Sequence, residues 1–362
     1  MAEDASARVA CADLHAFVQA LFERAGLATA DAATVAASLV DADTRGTHSH
    51  GVVRAPFLVA RVRDGGADPR ATPTIVSEAA GTALVDGQRA LGPVTARFAM
   101  DAAIAKARAQ GIGMACARNS DFIGACGHYA KMALAHDMIG IAWTNGFPGM
   151  TAWGSRRNAI GNNPIAFAAP ASRHGPLVLD MALSVAAGGR IRLAAKSGQR
   201  IPSDWLLDQE GRATDDPNAL YDGGALLPLG YKGFGLALFG ELLCGVLTGS
   251  RILQEIPAWH QESGVSVGNG HLHLAIDIAR FVPPDAFRAR ADALVDMLKA
   301  APLMPGVGEI LVPGERAART ERIHRRDGIP LTAPVVRDLQ RLAESLDVAL
   351  PASLAAATRV HS

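Results

Sequence analysis

The sequence predicts an α/β fold flanked by helices drawn from both chain ends. Apolar residues recur at helical spacing near the N-terminus (Leu14, Phe17, Val18, Leu21, Phe22). From Thr72 onward, short apolar runs bounded by glycine and proline alternate with helical segments, as strands interleaved with helices do. Beyond Ile278 the pattern turns amphipathic and helical again. With 362 residues, 49% of them hydrophobic and 19% charged, the chain is long enough for two or three subdomains around a large core.

Taken in order, residues 5–43 read as helices, with a turn at Gly26 and an alanine-rich second helix. A short helix is expected over 53–63, with Pro56 near its start. Residues 74–76 and 82–87 read as strands, 93–109 as a helix, 113–117 as a buried strand, 129–136 as a helix and 139–144 as another buried strand. Residues 167–169 and 177–181 are extended, 183–195 and 233–247 helical, and 272–278 alternates as a strand. Amphipathic helices over 286–300 and 333–345 close the chain. The expected division is a helical N-terminal region over 1–72, an α/β cofactor and substrate region over 73–284, and a C-terminal helical region over 285–362 that packs back on the first. No internal repeat or low-complexity linker interrupts it.

Charge narrows the function. Lys+Arg and Asp+Glu are both 35, so the formal net charge is zero, whereas a nucleic-acid binder carries a basic excess or patch. The locally basic run Arg316 to Arg326 is punctuated by acidic residues and reads as a solvated surface. Met1 to Arg8 is polar without a signal core, and the longest apolar run, Gly233 to Gly249, is broken by Glu241, which fits a buried helix rather than a membrane span. Cys11, Cys116, Cys126 and Cys244 are scattered without CxxC spacing, as reduced thiols of a cytoplasmic protein are.

The densest chemistry lies in Arg45-Gly46-Thr47-His48-Ser49-His50-Gly51-Val52-Val53-Arg54. Imidazole changes charge near neutral pH, so His50 suits proton transfer. Arg54 offers a planar fork that fits a carboxylate with two parallel bonds. Gly51 between them permits a sharp turn. An acid/base beside a carboxylate clamp points to a small α-substituted acid; the plainer alternative is a polar helix-to-loop junction with solvated histidines. A GxGxxG dinucleotide fingerprint is absent, since neither Gly111-Ile112-Gly113 nor Gly233-Phe234-Gly235 has the third glycine in place. There is no P-loop and no GxSxG elbow. The loop from Gly154 to Pro164 offers backbone amides and asparagines for a phosphate or carboxamide, or else simply connects strands. His48-Ser49-His50 and His271-Leu272-His273 are both H-x-H pairs, and on strands each pair would share a face as metal ligands do. A metal-dependent hydrolase or lyase is therefore the rival enzyme class, although no carboxylate falls at a metal-ligand spacing. Lys232, ahead of a buried helix, either faces a cofactor anion or snorkels to water.

Several motifs together resemble one family. Arg45-Gly46…Ser49-His50-Gly51…Arg54 is similar to the RGxxSHGxxR signature of the type-2 malate/L-lactate dehydrogenase family, whose relatives include ureidoglycolate dehydrogenase, sulfolactate dehydrogenase, diketogulonate reductase and piperideine-2-carboxylate reductase. The likeness continues through Asn119-Ser120, Thr144-Asn145, Gly161-Asn162-Asn163-Pro164, Leu179-Asp180-Met181-Ala182, Ile201-Pro202…Trp205, Gly224 to Gly233, Pro313-Gly314-Glu315-Arg316 and Gly328-Ile329-Pro330-Leu331. It implies an NAD or NADP cofactor held by a non-Rossmann, L-sulfolactate dehydrogenase-like fold, in a homodimer with its active site near the subunit interface. By this resemblance His50 is the acid/base, supported by Ser49 and Asp180 as a relay, and Arg54 contacts the substrate carboxylate; His271 is a further candidate for substrate binding. Gly146, Asp180, Met181, Ala182, Lys232, Gly314, Glu315 and Arg316 match cofactor-contacting positions, and Asn162 and Asn163 of the 154–164 loop are further candidates to hold the cofactor.

Two positions depart from the family pattern. Many relatives carry a histidine where this chain has Phe122, and the usual proline before Trp153-Gly154 is Ala152. The expected activity is hydride transfer between nicotinamide and the α-carbon of a small 2-hydroxy or 2-keto acid, or of a cyclic imino acid, in a cytoplasmic enzyme without bound metal, membrane or nucleic-acid partner. Phe122 also admits a family member that has lost catalysis and acts as a binding protein.

Overall fold

A computed structural model describes residues 5–258 and 260–357. Its strands are β1 (Ala5–Val9), β2 (Thr74–Glu78), β3 (Thr82–Asp86), β4 (Ile112–Ser120), β5 (Met138–Thr144), β6 (Met150–Thr151), β7 (Asn158–Ile160), β8 (Ile165–Ala169), β9 (Leu177–Met181), β10 (Leu206–Leu207), β11 (Ala213–Thr214), β12 (Ala225–Leu226), β13 (Asn269–Asp277) and β14 (Ile329–Thr332). Its α-helices are α1 (Cys11–Arg24), α2 (Thr29–Thr44), α3 (Ala55–Arg63), α4 (Gly92–Gln110), α5 (Cys126–Ala130), α6 (Gly188–Lys196), α7 (Gly230–Glu241), α8 (Pro284–Lys299), α9 (Glu315–Asp327), α10 (Ala333–Leu346) and α11 (Ala352–Ala357).

The central sheet has seven strands in the order β2-β3-β4-β13-β5-β8-β9. Only β3 and β4 run parallel, joined through α4; the other neighbours are antiparallel. A doubly wound dinucleotide fold needs a run of parallel strands with a glycine turn after the first. This sheet has none, which accounts for the missing fingerprint. One face of the sheet is covered by α4 and α5 over an alanine-rich core that includes Met100, Ile104, Tyr129 and Ala142. The other carries Trp143, Ile165, Leu183 and Ala237, beneath α7 and the small sheet β11-β10-β12-β6-β7.

Both chain ends build the helical region. Leu14, Phe17, Leu21 and Phe22 of α1, Val35 and Leu39 of α2, and Leu58 of α3 bury with Ile329, Leu331, Val336 and Leu339 in one cluster. Residues 5–9 do not join the first helix as expected: β1 pairs antiparallel with β14. Of the helix expected over 183–195, only α6 forms, and the helix expected over 233–247 ends in a π-turn at Leu242–Val246. The basic run near Arg316 to Arg326 is the helix α9, with His324 as its buried contact. Helix α8 is tied elsewhere, through Asp292 to the amides of Ser172, Arg173 and His174, so the return to the N-terminal helices starts at α9.

A buried ion pair links these layers. Arg61 of α3 and Asp121, just after β4, are both enclosed and meet through two nitrogens, at 2.8 Å and 2.7 Å. The same guanidinium donates to the carbonyls of Glu262 and Val265 at 3.3 and 3.0 Å. Helix α3 thereby fixes the 119–124 turn and the 260–268 loop together, and both border the site described next.

Candidate active site

Helix α2 ends where the Arg45-Gly46 motif begins, and the reason is local. Gly46 has φ +80° and donates to Asp43 O, while Thr47 N reaches back to Ala42 O at 2.8 Å, the paired bonds of a Schellman turn. A short 3-10 turn, His48–His50, follows, then another over Val52–Arg54. The carboxylate of Asp43, at the foot of α2, holds both: it meets His48 Nδ1 at 2.8 Å and accepts from Val52 N at 2.7 Å. Burial pushes this carboxyl up, and His48 and the Val52 amide partly reverse that. Gly51 has an ordinary negative φ of −85°. It is glycine because a Cβ there would overlap the Asp43 carboxylate, so the constraint is close approach rather than the sharp turn read from the sequence.

His50 is half-buried. Its Nδ1 lies 3.0 Å from Ser49 Oγ, which leaves Nε2 to face a substrate. Desolvation, with the nearby positive charge of Arg54, lowers its pKa to about 4. The ring stacks on Phe122 at 5.9 Å between centroids. Phe122 is thus a wall against His50. Arg54 donates Nε to Ser49 O at 2.7 Å. Desolvation and then Arg192 lower its pKa to about 10. Serine, imidazole and guanidinium therefore share one rigid turn.

Asp180 does not complete a direct relay. Its carboxylate accepts from Gly127 N at 2.8 Å, and among the described residues neither Ser49 nor His50 bonds to it. The recess around it contains Lys131, Arg45 and Asp41. Desolvation raises its pKa, opposed by the Gly127 amide and by Lys131. Lys131 in turn pairs with Asp41 at 2.6 Å, and His128 lies 3.2 Å from the same carboxylate. Burial raises Asp41, but His128 and Lys131 more than reverse it and hold it well below the usual range.

The residues matched to cofactor contacts converge on β9 and the chain just after it. The Gly314 turn lies on Val178, 2.9 Å from a Cβ at 314 to Val178 N, and Val178 N donates to Pro313 O at 3.1 Å. Asp180, Met181 and Ala182 follow, and Leu183 N donates to Asn162 O at 2.9 Å. Leu183 O accepts from Leu229 N at the start of α7, which places Lys232 one turn above. Asn163 is enclosed: its side chain receives Gly146 N at 3.2 Å and donates to Ala237 O and Glu241, so it shapes the Gly146 loop from behind. Glu315 pairs with Lys299 and Arg319, which hold its pKa near 2, Lys299 first, and anchor the start of α9. The side chains of Lys232 and Arg316, by contrast, have no hydrogen-bond or ion-pair partner among the described residues, and a Cβ at Gly146 meets nothing within 4 Å. Cations without a hydrogen-bond or ion-pair partner among the described residues are of the kind that pairs with the anionic phosphates of a dinucleotide.

His271 stands apart from this surface. It is 0% exposed, with Nε2 2.7 Å from Ser120 Oγ and Nδ1 2.9 Å from His273 Nε2. Both ring nitrogens are occupied, so it cannot touch substrate as expected and instead supports Ser120 from inside the sheet. Desolvation lowers its pKa to about 3. Both histidines lie on β13 as the H-x-H spacing suggested, but their rings bond to each other instead of diverging around a cation. Among the described residues no group of three or more His, Cys, Asp and Glu is placed to hold a metal ion. Sequence reasoning missed Asp43, Arg192 and His260. Asp43 was within reach, as a carboxylate two residues before the motif; the others come within electrostatic reach of Arg54 only through long-range folding.

The family model described as malate/L-lactate dehydrogenase matches residues 9–340. The chain is 34% identical to a malate dehydrogenase of Pyrococcus horikoshii over 343 residues, 92% of this chain and 94% of that one. It is 33% identical to a Delta(1)-pyrroline-2-carboxylate/Delta(1)-piperideine-2-carboxylate reductase of Pseudomonas putida, over 92% of this chain and 96% of the other. Its fold is similar to that of a sulfolactate dehydrogenase from Methanocaldococcus jannaschii, with a TM-score of 0.88 at 31% identity, covering 94% and 98% of the two chains.

The depressed imidazole at 50 has a consequence for stability. The folded group titrates near 4 and the unfolded one near 6.5. Between those values the unfolded chain holds the extra proton, so this contribution is present above about 6.5 and is lost as pH falls toward 4. The melting temperature is expected to drop across that window, and less steeply for His50→Gln. An identical slope in the variant contradicts a desolvated neutral imidazole at position 50.

Proposed function

The chain belongs to the malate/L-lactate dehydrogenase family of NAD(P)-dependent oxidoreductases, and on that premise we propose that the turn from Ser49 to Arg54 is its catalytic centre. The proposed reaction interconverts a small 2-hydroxy acid and its 2-keto acid, or a cyclic amino acid and its imino acid, by transfer of a hydride and a proton. Lys232, Arg316 and the Gly146 and Gly314 turns would hold the dinucleotide, whose nicotinamide would supply or accept the hydride at the substrate α-carbon. His50 Nε2 handles the matching proton, on oxygen for a keto acid and on nitrogen for an imine. Its low pKa keeps it neutral at physiological pH, ready to take the hydroxyl proton in the oxidation direction; an anionic substrate beside it favours the protonated form needed for reduction. Ser49, on Nδ1, fixes the ring and its tautomer. Arg54, anchored through Nε on the Ser49 carbonyl, turns its guanidinium to the carboxylate and so orients the α-carbon. The single observation that carries the reading is this chain of contacts, Arg54 to Ser49 to His50, within one short turn.

The chain is further proposed to work as a homodimer. Leu236, Phe239, Leu242, Val246 and Leu247 form an apolar face exposed on α7 and the π-turn that follows, with Phe239 60% exposed. A face of this kind favours burial against a second copy. Four free cysteines support a reducing, cytoplasmic setting, which cell fractionation tests.

Substitution separates the two roles in the centre. His50→Ala is expected to lower kcat by about 10²–10⁴-fold with cofactor binding nearly intact. Arg54→Lys keeps the charge and loses the fork, and is expected to raise KM for the acid more than it lowers kcat. Wild-type turnover in His50→Ala sinks the assignment. For assembly, light scattering is expected to give twice the chain mass, and Phe239→Asp to shift it to one; a fully active wild-type monomer rules the dimer out.

A further inference from the structure

Glu241, the last residue of α7, is 4% exposed and has no ion-pair partner among the described residues. N–H donors meet its carboxylate instead: Asn145 Nδ2 at 3.1 Å and Leu253 N at 2.9 Å on Oε1, and Asn163 Nδ2 at 2.8 Å on Oε2. Burying a carboxylate is costly without such bonds, and here both oxygens have them. The bonds reach further. Asn163 also donates to Ala237 O at 2.9 Å, and its Oδ1 accepts from Gly146 N at 3.2 Å. Asn145 also donates to Arg251 O at 3.0 Å, and its Oδ1 accepts from Gly270 N at 2.9 Å. Both asparagines are enclosed, so bulk water offers them no other partners.

A carboxylate only accepts, whereas an amide donates at one end and accepts at the other. Glu241 therefore fixes the sense of both asparagine amides: their nitrogens must face it and their oxygens must face away. At Asn163 this places an acceptor on the amide of Gly146. Asn163 is held at φ +30°, a left-handed conformation that asparagine tolerates, so its backbone serves the same contact. The carbonyl of Gly146 lies against Gly161, where a Cβ would come within 2.5 Å of it. The Gly146 turn is thus gripped from behind, and its other side is open, since a Cβ at 146 meets nothing within 4 Å. Helix α7, which carries Lys232 at its start, is seated on this network: Trp143 donates Nε1 to Asn163 O at 3.0 Å and packs against Gly240.

We propose that Glu241 is a positioning residue for the dinucleotide, which holds the Gly146 turn open to the cofactor through the sense it imposes on the Asn163 amide. The proposal rests on the oxidoreductase reading and adds to it a residue that touches neither cofactor nor substrate. A glutamine at 241 has the same shape, but one of its ends donates. With its oxygen toward Asn145 and Leu253, its nitrogen faces that of Asn163, whose amide must then turn and present hydrogens to Gly146 N. An aspartate at 163 corrects this single fault, because it accepts from the new glutamine and from Gly146 N together.

Calorimetric titration of the full chain with NADH and with NADPH tests the proposal, using whichever the wild type binds more tightly. Glu241→Gln is expected to weaken that binding about 10- to 30-fold. The double variant E241Q/N163D is expected to return to within about threefold of the wild-type affinity while still melting lower, since the Ala237 carbonyl has lost its donor. That recovery separates positioning from a general loss of stability. A double variant that binds as weakly as Glu241→Gln overturns the proposal. Unchanged affinity in Glu241→Gln overturns it too, and leaves the oxidoreductase reading standing. Should Glu241→Gln not fold, Asn163→Gly takes its place: it removes the acceptor from Gly146 N without backbone strain and is expected to weaken binding as much. Wild-type affinity in that variant overturns the proposal. A wild type that binds neither NADH nor NADPH contradicts the oxidoreductase reading and the proposal with it.

Discussion

The site depends on one buried carboxylate. Asp43 caps the turn that follows α2 by taking His48 Nδ1 and the Val52 amide together, while its own backbone carbonyl receives Nδ1 of His324 from α9. That single group sets the spacing of the 48–54 turn and forbids any side chain at position 51. With the turn fixed, Ser49, His50 and Arg54 cannot move independently. Burying a carboxylate is costly unless it is fully bonded, and here its partners come from the segment it must hold. Removing it would leave the His48 ring and the Val52 amide without their acceptor.

A second constraint comes from sheet topology. Strand β9 is the last in the seven-stranded sheet, so its outer edge is free to meet the Gly314 turn at one end and the start of α7, through Leu183, at the other. The segment then runs through Ser184 to α6, whose Gly189 packs on Ser49. The ridge assigned to the dinucleotide and the turn assigned to proton transfer are therefore consecutive parts of one path. A parallel doubly wound sheet would have gathered its ligand at the ends of several strands. This antiparallel sheet gathers it along one edge.

Much of this was legible from local sequence. The 3.6-residue rhythm of α1, α4 and α10 and the alternation in β13 are encoded residue by residue, and the SHG turn announces its chemistry by composition. What escaped is what depends on distant partners. Strand β1 is five residues long and is extended only because Ile329–Thr332, over three hundred residues away, pairs with it. Helix α9 is charged on nearly every face, so no apolar stripe marked it. His271 looked like a ligand in sequence because burial is not written in its neighbours; β4 and β5 enclose it from either side. Arg192 is one arginine among several in its segment, and only folding brings it within electrostatic reach of Arg54 while Arg190 lies over Trp205.

The central claim is that His50 is a neutral imidazole held by Ser49 and poised to exchange a proton with substrate. Nitrogen NMR of protein labelled in its histidine rings reads that state directly, with His50→Gln identifying the signal. Without ligand, His50 is expected to carry one ring proton at neutral pH and to take up the second only near pH 4. A doubly protonated His50 at neutral pH in the ligand-free protein would contradict the account.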